Sequence, residues 1–136
     1  MTAANNRVSD FFLPDVIHKM MVFYKDVYAM CKKLPKHDRF GIGKNIEDEG
    51  LSCLKIMIEA ALSPREIKKD IIQKARIKIE VLKKLITLIE ELKIIDYKKC
   101  MDLQNQLQII SKMTYKWIVS VSPQKEQEAS ENIETS

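Results

Sequence analysis

The chain has 136 residues, which suits one domain of the usual length of about 100–200 residues. The chain has only 3 Gly and 4 Pro, which argues against a sheet-based fold because the turns of such folds commonly contain these residues. Its content of 46% hydrophobic and 31% charged residues is typical of amphipathic helices. Aromatic residues make up 7% of the chain, too few for a platform that stacks on the bases of a single strand. We find neither an apolar run of about 18 residues nor a secretory signal pattern, so we expect no membrane segment, a cytoplasmic location and reduced cysteines.

Charge is unevenly distributed along the chain. The last fourteen residues, 123–136, contain one lysine against four glutamates, a net charge of −3, whereas residues 1–122 contain 22 basic and 15 acidic side chains, a net charge of +7. We therefore divide the chain into an irregular lead-in (1–13), a folded basic body (14–122) and an acidic tail (123–136) that we expect to be disordered. A basic body attracts phosphate backbones, although the same charge also serves simple solubility.

The first two predicted helices are separated by a proline-containing connection. Pro14 suits a first helical turn, and apolar residues then recur at helical spacing as far as Lys33. Pro35 ends this helix, and Asp38 is a candidate N-cap for the second. Gly43 and Gly50 lie seven residues apart on one face of the second helix, which favours either close approach of another backbone or a kink.

The third predicted helix is the longest and the most apolar. Ser63, Pro64 and Glu66 match a capping box that begins it, and no breaker follows until about Leu92. Two apolar stripes together cover roughly 200° of its surface, although one buried face needs about 100°. The second stripe therefore predicts a contact between subunits, and the candidate interface residues are Val81, Leu85, Leu88 and Leu92.

The fourth predicted helix begins after Asp96, a candidate N-cap, and ends before Pro123. Its apolar stripe runs from Cys100 through Met113 and Trp117. Four helices joined by short turns predict an all-α, antiparallel, up-and-down four-helix bundle. We expect Trp117 to pack at the end of the bundle beneath the segment 34–40.

Residues for catalysis or metal binding are scarce. His18 and His37 lie on different predicted elements, Glu-x-x-His pairs are absent, and the three cysteines are far apart. We therefore predict no catalytic residues, no metal, no cofactor and no enzymatic activity.

Basic residues provide a stronger pattern than the candidate catalytic groups. At 100° per residue, four of them project within about 40° of one another on the third helix, namely Arg65, Lys69, Arg76 and Lys83. Lys36 and Arg39 belong to a second cluster in the first connection, and further lysines lie at positions 98, 99, 112 and 116. These clusters predict phosphate binding through charge alone, with an ordinary solvated face as the alternative. Arg39 has its own alternative, a structural role beside the helix start.

Several segments resemble the accessory variability determinant (Avd) family, whose members accompany the reverse transcriptase of diversity-generating retroelements. The segment 34–43, LPKHDRFGIG, is similar to the family's first-loop motif, and the similarity returns in IEAA with the Ser63-Pro64 turn, in ISKM at 110–113 and in WIVS at 117–120. The pieces extend over about residues 20–121. At position 116, where the family pattern has a small residue, this chain has Lys116.

The resemblance implies a four-helix protomer that assembles into a barrel-like homopentamer with a positive surface. It also implies binding to RNA or DNA and to the reverse transcriptase, in support of mutagenic cDNA synthesis and without catalytic activity of its own. The architecture is shared with a wider group, the 23S rRNA-intervening-sequence proteins. The alternative function is therefore a helical structural or protein-interaction bundle whose basic charge is incidental.

Overall fold

A computed structural model describes residues 13–123, and the whole of this part is helical or in turns, with no strand. Four long helices account for most of it: α1 (Asp15–Lys32), α2 (Lys44–Leu62), α3 (Arg65–Glu91) and α4 (Tyr97–Val121). The predicted lead-in and acidic tail lie outside the described residues, apart from Leu13 and Pro123. The all-α class and the four-helix bundle predicted from the sequence are confirmed.

One hydrophobic core is shared by all four helices. It includes Phe23 of α1, Met57 of α2, Ile79 of α3 and Leu107 of α4, each fully buried. Helix α2 packs against α1 and α3, and α4 packs against α3 and α1. Removing these side chains from water supplies about 1.5–3 kcal/mol each, which is the main term that holds the helices together.

The core stripe predicted on the third helix is the one that is buried, at 72, 75, 79, 82, 86 and 89. On α4 the buried face is displaced from the prediction. Thr114 and Ile118 are buried, whereas Met113 and Trp117 are half-buried. The hydroxyl of Thr114 donates to the carbonyl of Ser111 at 2.7 Å, so a polar residue enters the core with its hydrogen bond satisfied.

The start of α2 differs from the prediction. A single helical turn (Lys36–Asp38) and a π-helical turn (Arg39–Gly43) precede it, and Asp38 makes no capping hydrogen bond. Non-helical backbone at Gly41 breaks the axis, so the kink lies at a glycine other than the two for which it was considered. Gly43 nevertheless meets another backbone, because a Cβ there would lie 3.0 Å from the carbonyl oxygen of Asp38.

The capping box predicted for α3 is also wrong. The Ser63 hydroxyl donates to the carbonyl of Glu59 at 2.7 Å, so it satisfies the end of α2 instead of the start of α3. Lys68 adds to the same end, because its ammonium donates to the carbonyls of Ala60 and Ala61 at 2.8 Å each. A carbonyl-rich helix C-terminus attracts both donors. At α4 the predicted N-cap is confirmed, since Asp96 Oδ1 accepts from the Lys99 amide at 2.7 Å.

The turn from α3 to α4 is a Schellman motif. The amides of Lys93 and Ile94 donate to the carbonyls of Glu90 and Ile89 at 2.8 and 3.1 Å. Lys93 occupies the left-handed position with φ of 62°. The turn is short, and it sets α4 against α3 along most of their lengths.

The position predicted for Trp117 is wrong. Trp117 packs near Ala60, Ile72 and Ile118, at the end of the bundle that holds the α2–α3 turn. Leu34 instead lines a cleft with Asp96, at the start of α4. Asp96 and Trp117 are 21 positions apart, which corresponds to about 30 Å at 1.5 Å per residue.

Candidate nucleic-acid interface

The four basic residues predicted on α3 lie along its boundary with α4. Arg65 Nη2 donates to the carbonyl of Ser120 at 3.1 Å. The guanidinium of Arg76 lies 5.4 Å from the ring centroid of Tyr115, within the range of a cation–π contact. Lys83 Nζ donates to Gln108 Oε1 at 3.2 Å. Their partners on α4 therefore follow the row from one end to the other.

The row is long and runs along the axis of α3. Arg65 and Lys83 are 18 positions apart, or about 27 Å in an α-helix. Arg65 is exposed, whereas Lys69, Arg76 and Lys83 are half-buried. This side of α3 is therefore not a fully solvated face, because α4 covers the side-chain stems. Long basic side chains commonly lie on a neighbouring helix in this way while the charged head stays at the surface.

Helix α4 carries two exposed lysines on its outer face, beside the partners of this row. Lys112 is one helical turn from both Gln108 and Tyr115, and Lys116 is one turn further along; both lysines are exposed. We call the combined surface the α3–α4 seam, defined by Arg65, Lys69, Arg76, Lys83, Lys112 and Lys116. From the sequence, Lys112 and Lys116 are only basic residues near the end of the fourth helix, because the register between two helices is not visible in either one.

Two acidic side chains of α3 partly offset the positive charge of the seam. Glu66 lines the same cleft as Arg65 and Lys69 at one end, and Glu80 lies near the other end. Glu80 Oε2 lies 3.0 Å from Lys83 Nζ, and the Glu80 side chain is largely exposed. Exposed ion pairs contribute about 0–1 kcal/mol, so a phosphate group can replace such a carboxylate at little cost. The seam thus remains a cationic surface that a polyanion can approach.

Lys36 and Arg39, the other two predicted site residues, lie away from the seam. Both are exposed on the turns before α2, and the Arg39 guanidinium lies 5.5 Å from the centroid of Phe40. The following residues of the loop, Gly41 and Ile42, line a groove beside the second apolar stripe of α3. The predicted nucleic-acid set therefore divides into two surfaces on different sides of α3.

Lysines of the first connection and of the start of α4 meet at one end of the bundle. Lys33, from the α1–α2 connection, and Lys99, from the first turn of α4, line the same cleft, with Leu34 and Asp96 between them. The carboxylate of Asp96 already caps α4. This cleft is a smaller cationic surface than the seam.

The second apolar stripe of α3 lies outside the core of the protomer. Val81 and Leu88 are exposed, Leu92 is 55% exposed and Leu85 is half-buried. Val81, Leu85 and Leu88 line a groove of about 540 Å³ with residues of the π-helical turn. Phe40, which is 62% exposed, and Ile77, which is 64% exposed, extend the apolar surface around it.

The cysteine thiols are buried and poorly suited to nucleophilic chemistry. Burial raises the pKa of Cys31 to about 11 and that of Cys53 to about 12, and it also raises the pKa of Cys100. A thiolate is the reactive form, so these side chains behave as small core residues. Among residues 13–123 no three histidine, cysteine, aspartate or glutamate side chains are grouped as metal ligands.

None of the helices in the described part of the chain combines the length and the apolar character that crossing a bilayer requires. In comparisons with known proteins, no family model matches the chain. No curated protein is significantly similar to it in sequence.

Proposed function

We propose that this protein is a non-enzymatic, nucleic-acid-binding accessory protein that partners a retroelement reverse transcriptase in the cytoplasm. In this proposal it supports mutagenic cDNA synthesis in a diversity-generating retroelement, as the Avd-like motifs imply. The observation that carries the binding function is the α3–α4 seam, where six basic side chains from two helices follow one boundary.

The seam suits the phosphate backbone better than it suits the bases. Its α3 row is about 27 Å long, and phosphates follow one another every 3.4 Å or so along each strand of a duplex, so about eight steps fit beside it. Arg and Lys on flexible stems fit an irregular RNA path as well as a regular DNA path. Such contacts set affinity and not sequence preference, so we expect RNA and DNA of unrelated sequence to bind similarly.

The proposed assembly is a barrel-like homopentamer of antiparallel, up-and-down protomers. Antiparallel packing of α3 and α4 is supported by three contacts in which the residue number on α4 falls as the residue number on α3 rises. These contacts join Arg65 to Ser120, Lys83 to Gln108, and the carbonyl of Ile86 to the thiol of Cys100. The interface proposed between subunits is the stripe of Val81, Leu85, Leu88 and Leu92. An apolar surface of this kind on a small domain is more typical of a contact site than of a solvated face.

A second candidate function is favoured by the same apolar groove. In that case the protein is a structural or protein-interaction bundle like the 23S rRNA-intervening-sequence proteins, and its basic charge is incidental. The two functions differ in their salt dependence, because only phosphate binding releases counterions and weakens steeply as salt rises.

The binding experiment uses fluorescence anisotropy with labelled RNA and DNA across a series of salt concentrations. The cleanest variant is Lys112→Glu with Lys116→Glu, because both side chains are exposed. At about 1 kcal/mol for each lysine near a dense anionic surface, we expect the double variant to bind at least 10-fold more weakly at low salt. Its salt slope should also fall by about 1–2.

The matched control is Lys19→Glu with Lys25→Glu, which changes net charge equally on the exposed side of α1. Equal losses in both double variants would mean that overall charge, and not the seam, attracts nucleic acid. Binding that ignores salt would favour the protein-interaction function. Copurification of a reverse transcriptase with the tagged chain tests the proposed partner directly.

A further inference from the structure

The chain leaves the described structure beside one end of the seam. Pro123, its last described residue, lines a cleft of about 230 Å³ with Val121, and the other walls are formed by Arg65, Glu66 and Lys69. The segment 124–136 therefore starts next to the first two basic residues of the α3 row. This segment contains one lysine and four glutamates, at positions 126, 128, 131 and 134.

The spacing of these glutamates matches the spacing of the row. An extended chain advances about 3.3 Å per residue, so Glu126 can reach about 10 Å from Pro123 and Glu131 about 26 Å. Along α3, at 1.5 Å per residue, Lys69 lies about 6 Å from Arg65 and Lys83 about 27 Å. One segment can thus follow the boundary of α3 and α4 and set successive carboxylates against successive cations.

We propose that residues 124–136 bind along the α3–α4 seam of their own protomer. The segment then acts as an internal competitor for the surface that binds phosphate. That competition rests on the proposed function, whereas the contact between segment and seam stands without it.

The acidic segment 124–136 fits the cationic seam better than it fits the apolar groove. The groove beside Val81, Leu85 and Leu88 is lined mainly by hydrocarbon, whereas the segment QKEQEASENIETS has a single large apolar residue, Ile133. Tethering makes the charge contacts intramolecular, and a short flexible linker gives an effective concentration in the millimolar range. Individually weak ion pairs can then add up to appreciable occupancy at low salt.

A direct test uses carbodiimide, which joins a carboxylate to an amine only when the two are in contact. In the full chain at low salt we expect mass spectrometry to find links from Glu126, Glu128 or Glu131 to lysines of the seam. The links should disappear at about 0.5 M salt, where the Debye length falls to a few ångströms. Lys19 and Lys25 on α1 are the internal controls and should form no such links.

A mixture of 15N-labelled and unlabelled chains distinguishes a link within one protomer from a link between two copies. The two preparations are unfolded and refolded together so that subunits mix, and links found only within one isotope label then support docking on the same protomer. Links that join the two labels would overturn that assignment, because they would place the segment on a second copy. An absence of seam links at low salt would overturn the proposal altogether.

The functional consequence is measured with all four glutamates of the segment changed to glutamine in the full chain. We expect this variant to bind labelled RNA about 3–10-fold more tightly than the original chain at low salt, and equally at high salt. The gain should shrink when Lys112→Glu and Lys116→Glu are also present, since the segment and RNA compete for one surface. An unchanged gain in that background would contradict competition at the seam.

The two proposals fail in different ways. If seam links form but RNA does not bind, the nucleic-acid function is wrong and the docking stands. If RNA binds in a salt-dependent way but no links form, the docking is wrong and the nucleic-acid function stands.

Discussion

At single residues, the two helix N-caps predicted from the sequence, Ser63 and Asp96, behave differently. Asp96 Oδ1 accepts from the Lys99 amide at 2.7 Å and thereby starts α4. The Ser63 hydroxyl instead donates back to Glu59. Both residues belong to the set that commonly begins helices, so residue type did not distinguish a helix start from a helix end.

This difference gives a stability prediction. Asp96→Ala should lower the free energy of unfolding by about 0.5–2 kcal/mol, because an amide of the first turn of α4 loses its acceptor. Ser63→Ala is the control and should cost less, because the Glu59 carbonyl it leaves is at an exposed helix end that water reaches. Urea unfolding followed by circular dichroism measures both values. A larger loss for Ser63→Ala would contradict these roles.

At the scale of elements, α3 has two apolar stripes with separate environments. The stripe that includes Ile79 and Ile86 is fully buried within the protomer, whereas Leu88 is 42% exposed on the other stripe. The sequence predicted that the helix is apolar on more surface than one protomer can bury. Both stripes have the spacing of a helix face, so the assignment of the first stripe to the core was a prediction that only the packing of the other helices could confirm.

The stripes should respond differently to truncation. Ile79→Ala should lower the free energy of unfolding by about 2–5 kcal/mol, because it leaves a cavity in a packed core. Leu88→Ala should cost about 1 kcal/mol or less in the protomer, since much of that side chain already meets solvent. Urea unfolding at low protein concentration, where assembly contributes least, compares the two. Similar losses would show that Leu88 belongs to the core of the protomer.

At the scale of the whole molecule, the surface divides by charge and polarity. The seam between α3 and α4 is cationic, and the groove between the π-helical turn and α3 is apolar. In the proposed function, the first surface binds nucleic acid and the second forms the contact between subunits. If copies assemble through the apolar groove, several cationic seams belong to one assembly, and the electrostatic fields of the copies add.

Assembly is tested with Leu88→Glu. A charge placed in the proposed interface must be desolvated, so we expect the variant to sediment as a smaller species than the original chain at micromolar concentration. Helix content should be unchanged, since residue 88 is exposed in the protomer. Ile109→Glu on α4, also at a 52% exposed apolar position, is the matched control and should leave the sedimentation unchanged. A monomeric original chain would contradict the proposed assembly.

Periodicity and breakers were enough to predict most of the helical architecture. Both ends of α1, the start of α3 and the end of α4 follow from Pro14, Pro35, Pro64 and Pro123 to within three residues, because proline acts through local backbone geometry. The start of α2 could not be predicted in this way. There Gly41 departs from helical geometry and Gly43 packs against the Asp38 carbonyl, and both features depend on how the connection folds back.

The candidate site was predicted in part. Arg65, Lys69, Arg76 and Lys83 share one side of α3 because the helical repeat alone requires it. Their contacts with α4, and the addition of Lys112 and Lys116, depend on the relative position of two helices. That position is fixed in part by the turn at Lys93. Lys93 adopts the left-handed conformation that glycine usually occupies at a helix C-terminus, so the sequence does not indicate this turn.

The helical class, the number of long helices and the uneven distribution of charge are readable in the sequence, since they follow from composition and from interactions between residues a few positions apart. The packing of the four helices is what confirms one stripe of α3 as core, places Trp117 and brings basic residues together on one surface. Those features depend on side chains distant in sequence that compete for the same limited interior, and packing decides that competition among all four helices at once.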